Sequence, residues 1–175
     1  MSAQAHIAEF ANKLVQDSVL SEQSARRLVS AAETTSHPFD AIVTELGVMR
    51  EDVLAKALAE YFSLTFVGQP VSTIDKDLAI QLGLEFLKSN ALAPLKSKDG
   101  GALLALADPF ETEAKSMVDF AIGSEIETAI STRSAINLAL SSIEIDSSTG
   151  ENSEDIAGDL SNDADLERLK EFARQ

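Results

Sequence analysis

The sequence predicts an α+β protein in three parts. A helical subdomain over residues 1–62 is built from two degenerate helix-pair repeats. A small α/β subdomain with a mixed sheet covers 63–143. An acidic linker covers 144–164, and a short helix over 165–175 follows it. Three observations predict this. Up to Phe62 the apolar residues recur only at helical spacing. From Leu64 to Ile143 short apolar runs alternate with helical segments and with Gly and Pro stops. From Glu144 to Asp165 there are eight acids and no base, with too few apolar residues to repay ordering, which reads as flexible linker.

The first helix carries Ile7, Phe10, Ala11, Leu14 and Val15 on one face. Ser21 and Glu22 form a cap into the second, whose apolar face is Ala25, Leu28, Val29 and Ala32. Pro38 stands where a third helix begins, with Ile42, Val43 and Leu46 buried. Glu51 and Asp52 place acids in the first turn of a fourth, which suits the helix dipole. Val53, Leu54, Ala57, Leu58, Tyr61 and Phe62 are its apolar side. The four helices align as two pairs at an offset of 29 residues, Phe10 on Phe39. Leu14 then meets Val43, Ser18 meets Gly47, Glu22 meets Glu51 and Ala25 meets Leu54. A pair of short helices cannot bury both faces alone, so the copies are expected to pack on each other.

Thr65–Val67 reads as a short strand and Gly68-Gln69-Pro70 as a turn. Asp75 starts a helix to about Leu82, Gly83 stops it, and Leu84–Asn90 is a second helical piece. Ala91–Leu95 and Ala102–Ala107 flank a hairpin loop, Lys96–Gly101. Asp108-Pro109 then makes a turn and helix start, because Pro fixes φ and needs no amide partner in a first helical turn. The helix ends at Gly123, and the next strand occupies Glu125–Ser131. Thr132 caps a last helix through about Ser142, with Ile136, Leu138, Ala139 and Leu140 on or near its packed side.

Composition narrows the function. Of 175 residues, 29 are acidic and 14 basic, a net charge of −15, which disfavours nucleic acid and anionic membrane surfaces as partners. There is no Cys, so no disulfide or thiolate metal site. His6 and His37 are isolated, which argues against paired-His metal chemistry. No apolar run reaches a membrane span, and the N-terminus lacks a signal-peptide pattern. A cytoplasmic, soluble chain is expected.

Residues 102–131 resemble a known family, the N-terminal domain of type II secretion and type IV pilus assembly ATPases. There a Gly-rich hairpin leads into an apolar strand ending in Ala-Asp-Pro, then a helix ending in Gly, then a short strand and helix. Here those parts are Gly100-Gly101, Leu103–Ala107, Asp108-Pro109, Glu113–Ile122, Gly123 and Ile126–Ile130. The closing Asp165–Ala173 looks like the segment that enters the motor domain. The resemblance implies an adaptor docked on the cytoplasmic part of an inner-membrane platform protein, peripheral to that membrane through it. The secretion branch fits best, with a pilus motor close behind. No G-x-x-x-x-G-K-[ST] phosphate loop occurs, so ATP and Mg are expected only with a motor domain. The chain reads as either a piece cut before the motor or a standalone adaptor, with no cofactor of its own.

Some members of the family bind cyclic di-GMP through repeated Arg, Gly and Gln positions, which makes nucleotide sensing the alternative function. Laid on this chain, the Arg positions hold Glu9 and Pro38, and the opening Gly positions Ala11 and Asp40. The inner Gly positions hold Ser18 and Gly47, and the Gln positions Ala32 and Tyr61. Acids at Glu9 and Asp40 repel a dianion. An enzyme with an unfamiliar site is a further rival, but no nucleophile–base constellation is present, and Glu111 with Glu113 makes no acid/base pair. The partner-binding candidates are Arg26 and Arg27, the only adjacent basic pair, and after them Lys13, Gln16 and Asp17. The alternative for the Arg pair is a solvated helix face. Phe39, Phe62, Phe66, Phe110 and Phe120 read as core.

Overall fold

The structure is a computed structural model describing residues 3–159, with side chains described as far as residue 148. Helix α1 spans Ala3–Gln16 and α2 spans Glu22–Thr34. Ser21 caps α2 by accepting the Ser24 amide at 3.2 Å. Helix α3 spans Phe39–Leu46 and α4 spans Glu51–Phe62. The starts of α2 and α4 lie 29 residues apart, as the repeat requires. The turn inside each pair is left-handed at the same place, with φ 59° at Ser18 and 63° at Gly47. Gly adopts that conformation freely, whereas Ser is strained in it. Leu14 and Val43 are buried, as are Ala25 and Leu54. The equivalent rings Phe10 and Phe39 meet each other edge to face at 5.9 Å, so the copies pack as expected.

The α/β part begins with β1, Thr65–Phe66, and a 3-10 turn at Pro70–Ser72. Helix α5, Lys76–Leu82, is capped by Asp75, whose carboxylate accepts the Leu78 amide. Gly83 at φ 99° separates it from α6, Leu84–Asn90. Strands β2, Leu92–Lys96, and β3, Ala102–Leu106, form an antiparallel hairpin. Helix α7, Glu113–Ile122, crosses to β4, Glu127–Ile130, and α8 runs Arg133–Asp159. The sheet order is β1-β4-β3-β2, with β4 parallel to both β1 and β3. The sheet is therefore mixed, as predicted, and β3 and β4 are buried at their C-terminal ends.

Met1–Leu140 forms one compact unit, and a second starts at Ser141. In the first unit the helical and α/β parts share an aromatic cluster. Phe110, just after the Asp-Pro turn, stacks on Phe39 at 4.9 Å, on Phe62 at 5.3 Å and on Phe10 at 5.9 Å. Tyr61 adds an edge contact to Phe10.

Four expectations need correction. Phe120 is not core; it is 90% exposed. Helix α7 buries only a stripe, Ala114 and Val118, and a residue two beyond Val118 falls on the outer face. Leu138 is likewise exposed, because α8 turns Ile136, Ala139 and Leu140 inward. Helix α7 starts at Glu113 rather than at the Asp-Pro turn. Glu111 makes this start, its carboxylate accepting the amides of Glu113 and Ala114. Finally, α8 continues past Ser142 to Asp159, through residues expected to be flexible linker. The expectation counted packing alone. Extending a formed helix costs far less than nucleating one, and the Ser147 and Ser148 hydroxyls, which compete with the backbone when free, here turn back on the carbonyls of Ile143 and Glu144. The linker at 160–164 and the helix at 165–175 lie outside the described residues.

Candidate functional site

Small residues on α1 and α2, among them Ala8, Ala11 and Ala25, leave a groove between the two helices. Its volume is about 660 Å³. Ala8, Ala11, Val15, Ala25 and Val29 make the apolar part. Gln16, Glu22, Arg26 and Glu33 bring polar ends to it. The Arg26 guanidinium stands 3.9 Å from the Glu22 carboxylate, both largely exposed. That separation is too long for a hydrogen bond, and an exposed pair of this kind holds neither group firmly.

The groove gathers Gln16 and Arg26 of the five predicted partner residues. Arg27, one position on, is exposed and does not line it. Lys13 and Asp17 bind each other at 2.7 Å, one helical turn apart, and also lie off the lining. The hydrogen bond from Lys13 to Asp17 raises the ammonium above its ordinary value. Glu22, Ala25, Val29 and Glu33 were missed as groove residues. The 29-residue offset is the signal that could have found them, as the second helix pair shows.

In that second pair the corresponding surface is closed. Arg133, the first residue of α8, donates to both oxygens of Asp40, at 2.7 Å from Nε and 2.9 Å from Nη2. Asp40 is buried, and its carboxylate raises the guanidinium further above its usual value. Glu51 accepts both the amide and the hydroxyl of Ser134, at 2.9 and 2.8 Å. Asp108 approaches from the loop after β3, accepting the amide of Phe39 at 3.1 Å and that of Phe110 at 3.0 Å. Burial pushes the Asp108 carboxyl up, and the two amides oppose this. Together these contacts tie the N-terminal turns of α3, α4 and α8 to one another.

Of the two positions that would repel a dianion, Asp40 is engaged internally. Asp40 holds Arg133, while Glu9 stays exposed near the half-buried Tyr61, whose phenol is raised by burial and by that carboxylate. Among the described residues, no group of three His, Asp or Glu is arranged to hold a metal ion. No described helix is long and apolar enough to cross a membrane.

Comparison with known proteins points one way. The profile of the MshEN domain matches residues 62–149. Among solved structures, one described as MshE with cdg superposes with a TM-score of 0.61 at 19% identity. It covers 77% of this chain and 97% of that one, a likeness of fold. The N-terminal domain of XpsE superposes with a TM-score of 0.60 at 26% identity, covering 81% of this chain and 95% of that one. No curated protein matches the chain significantly.

Proposed function

This chain belongs to the MshEN domain family, as its resemblance to the N-terminal domains of secretion and pilus ATPases implied, and from that premise we propose that it is a non-catalytic adaptor. It docks the motor of a type II secretion or type IV pilus assembly ATPase on the cytoplasmic domain of an inner-membrane platform protein. Its place is then cytoplasmic, held at the membrane by that partner. The open groove between α1 and α2 carries this reading. The chain has an apolar hollow rimmed by Gln16 and Arg26, on the half of the helical subdomain that the polar contacts to α8 leave alone. An Arg at the edge of an apolar hollow is the kind of group that anchors protein interfaces.

The test is calorimetry with the platform protein's cytoplasmic domain. Arg26→Glu is expected to weaken binding about tenfold with an unchanged melting curve, whereas Arg27→Glu changes it little. Equal binding by Arg26→Glu would move the dock to another face. The same preparation is expected to show no ATP turnover above a buffer blank, since the sequence contains no G-x-x-x-x-G-K-[ST] motif.

Nucleotide sensing is the second reading, supported by the fold shared with MshE, solved with cdg. Against it stand Asp40, committed to Arg133, and Glu9, an exposed carboxylate. Calorimetry with cyclic di-GMP at about 10 μM, where a site of about −7 kcal/mol is visible, is expected to show no saturable heat.

A further inference from the structure

The two helix pairs are copies, and only one of their grooves is filled. In the second, the space left is about 10 Å³, no more than one water. The corner from β4 into α8 occupies it, with Ser131, Thr132 and Arg133 set against Asp40, Glu51, Leu54, Ala55 and Leu58. Moved back by 29 residues, those five positions become Ala11, Glu22, Ala25, Arg26 and Val29. All five line the open groove of the first pair. One surface therefore occurs twice, once closed over a helix start and once facing solvent.

We infer that the groove between α1 and α2 receives the first turn of an α-helix from a partner protein, seated as the first turn of α8 is seated on α3 and α4. The inference rests on the adaptor reading above and adds the chemistry of what enters. Glu51 shows the part that Glu22 plays. Its carboxylate takes the amide and hydroxyl of Ser134, the second residue of α8, and so closes a helix N-terminus that favours negative charge. Glu22 holds the same place on α2 with its carboxylate exposed. Two of the five positions change the charge. Ala11 stands where Asp40 stands, so the acid that holds Arg133 has no counterpart. Arg26 stands where Ala55 stands, so a base has been added. The incoming helix must then be reversed in charge at its first residue, Asp or Glu in place of Arg, followed by Ser or Thr for Glu22. Ala25 and Val29 are smaller than Leu54 and Leu58, so this groove is deeper and admits a larger apolar residue one turn on.

Two peptides test this on the full chain. One copies residues 131–142, and the other is the same peptide carrying Arg133→Asp. Each is titrated into isotope-labelled protein, and amide shifts are read by NMR. The Asp peptide is expected to bind about fivefold tighter than the Arg peptide, with shifts at Ala11, Glu22, Ala25, Arg26 and Val29. Arg26→Glu should reverse the preference, and Glu22→Gln should weaken both peptides about threefold. Shifts on other elements, absence of binding at millimolar peptide, or a preference indifferent to Arg26→Glu would overturn the inference. Concentration-dependent self-association with matching shifts on α1 and α2 would make the occupant a second copy, and would overturn it too. The platform protein's cytoplasmic domain is a separate arm. If the Asp peptide displaces it, both readings stand. If the peptide binds the groove and the domain stays bound, the helix-start inference stands and platform docking at this groove falls. If Arg26→Glu weakens the domain while the peptides show no preference, docking stands and the helix start falls.

Discussion

The first helix pair and the second share an offset, a left-handed turn and a pair of stacked rings, yet they are held by different physics. The second adds polar ties to the contacts of Phe39 and Phe62 with Phe110: Asp40 to Arg133, Glu51 to Ser134, Asp108 to the start of α3. The first has none of these partners, and its link to the α/β part is apolar, through Phe10 on Phe110. A repeat can therefore keep its geometry while its polar surface takes on a different task. Where an acid meets an internal base, the copy is closed. Where Ala11 stands in the acid's place and Arg26 supplies a base, the copy is open.

The largest expected effect comes from breaking the charged side of this comparison. Arg133→Ala leaves the Asp40 carboxylate, 7% exposed, without its counter-ion. Urea denaturation should show a loss of about 3 kcal/mol. Arg26→Ala, the change on the open copy, should stay within about 0.5 kcal/mol. If both cost the same, the two pairs are not held differently.

Asp108→Asn comes next, at about 1–2 kcal/mol, because Phe39 and Phe110 donate to different oxygens, Oδ2 and Oδ1, and Asn turns one of these acceptors into an NH2 donor. Its pH dependence has a definite sign. Burial raises the folded carboxyl above its unfolded value, so the folded chain binds that proton more tightly. This contribution is complete below the ordinary carboxylate range and disappears as pH rises through the raised value. The stability gap between the parent and Asp108→Asn should therefore be wider near about pH 4 than near about pH 7. A gap that widens with pH would contradict the buried-carboxyl account.

Glu51→Gln should cost about 1 kcal/mol by weakening the closure of α8, while Glu22→Gln should leave the melting temperature unchanged. Smallest is a gain. Ser18→Gly relieves the left-handed strain that Gly47 avoids and should add about 0.5 kcal/mol, read from the denaturation midpoint.

Most of the architecture was legible because local signals agreed. Ser21, Asp75 and Thr132 cap the helices they were expected to cap, and Gly83 and Gly123 end theirs at positive φ. The course of α8 was not legible, since composition reports packing and says little about a helix already under way. Phe120 reads as core by its ring alone, but its angle on α7 turns it to solvent. The groove was half legible. Arg26 stood out as a base in an acidic chain, but Glu22 and Ala25 gain meaning only when folded beside Ala11. Asp108 looked like a turn residue, and its reach to Phe39 spans 69 positions, which no local pattern contains.

The aromatic cluster has a consequence for the order in which the protein is made. Phe10, Phe39 and Phe62 are synthesised early, but the ring that joins them, Phe110, follows only after roughly fifty more residues. At about 5–20 residues per second the ribosome takes some seconds to deliver it. During that interval the nascent helices carry unsatisfied rings and have no sheet to rest on. The amino-terminal half therefore waits for the carboxyl-terminal half, and a polypeptide released at Phe62 should be a client for chaperones rather than a finished domain.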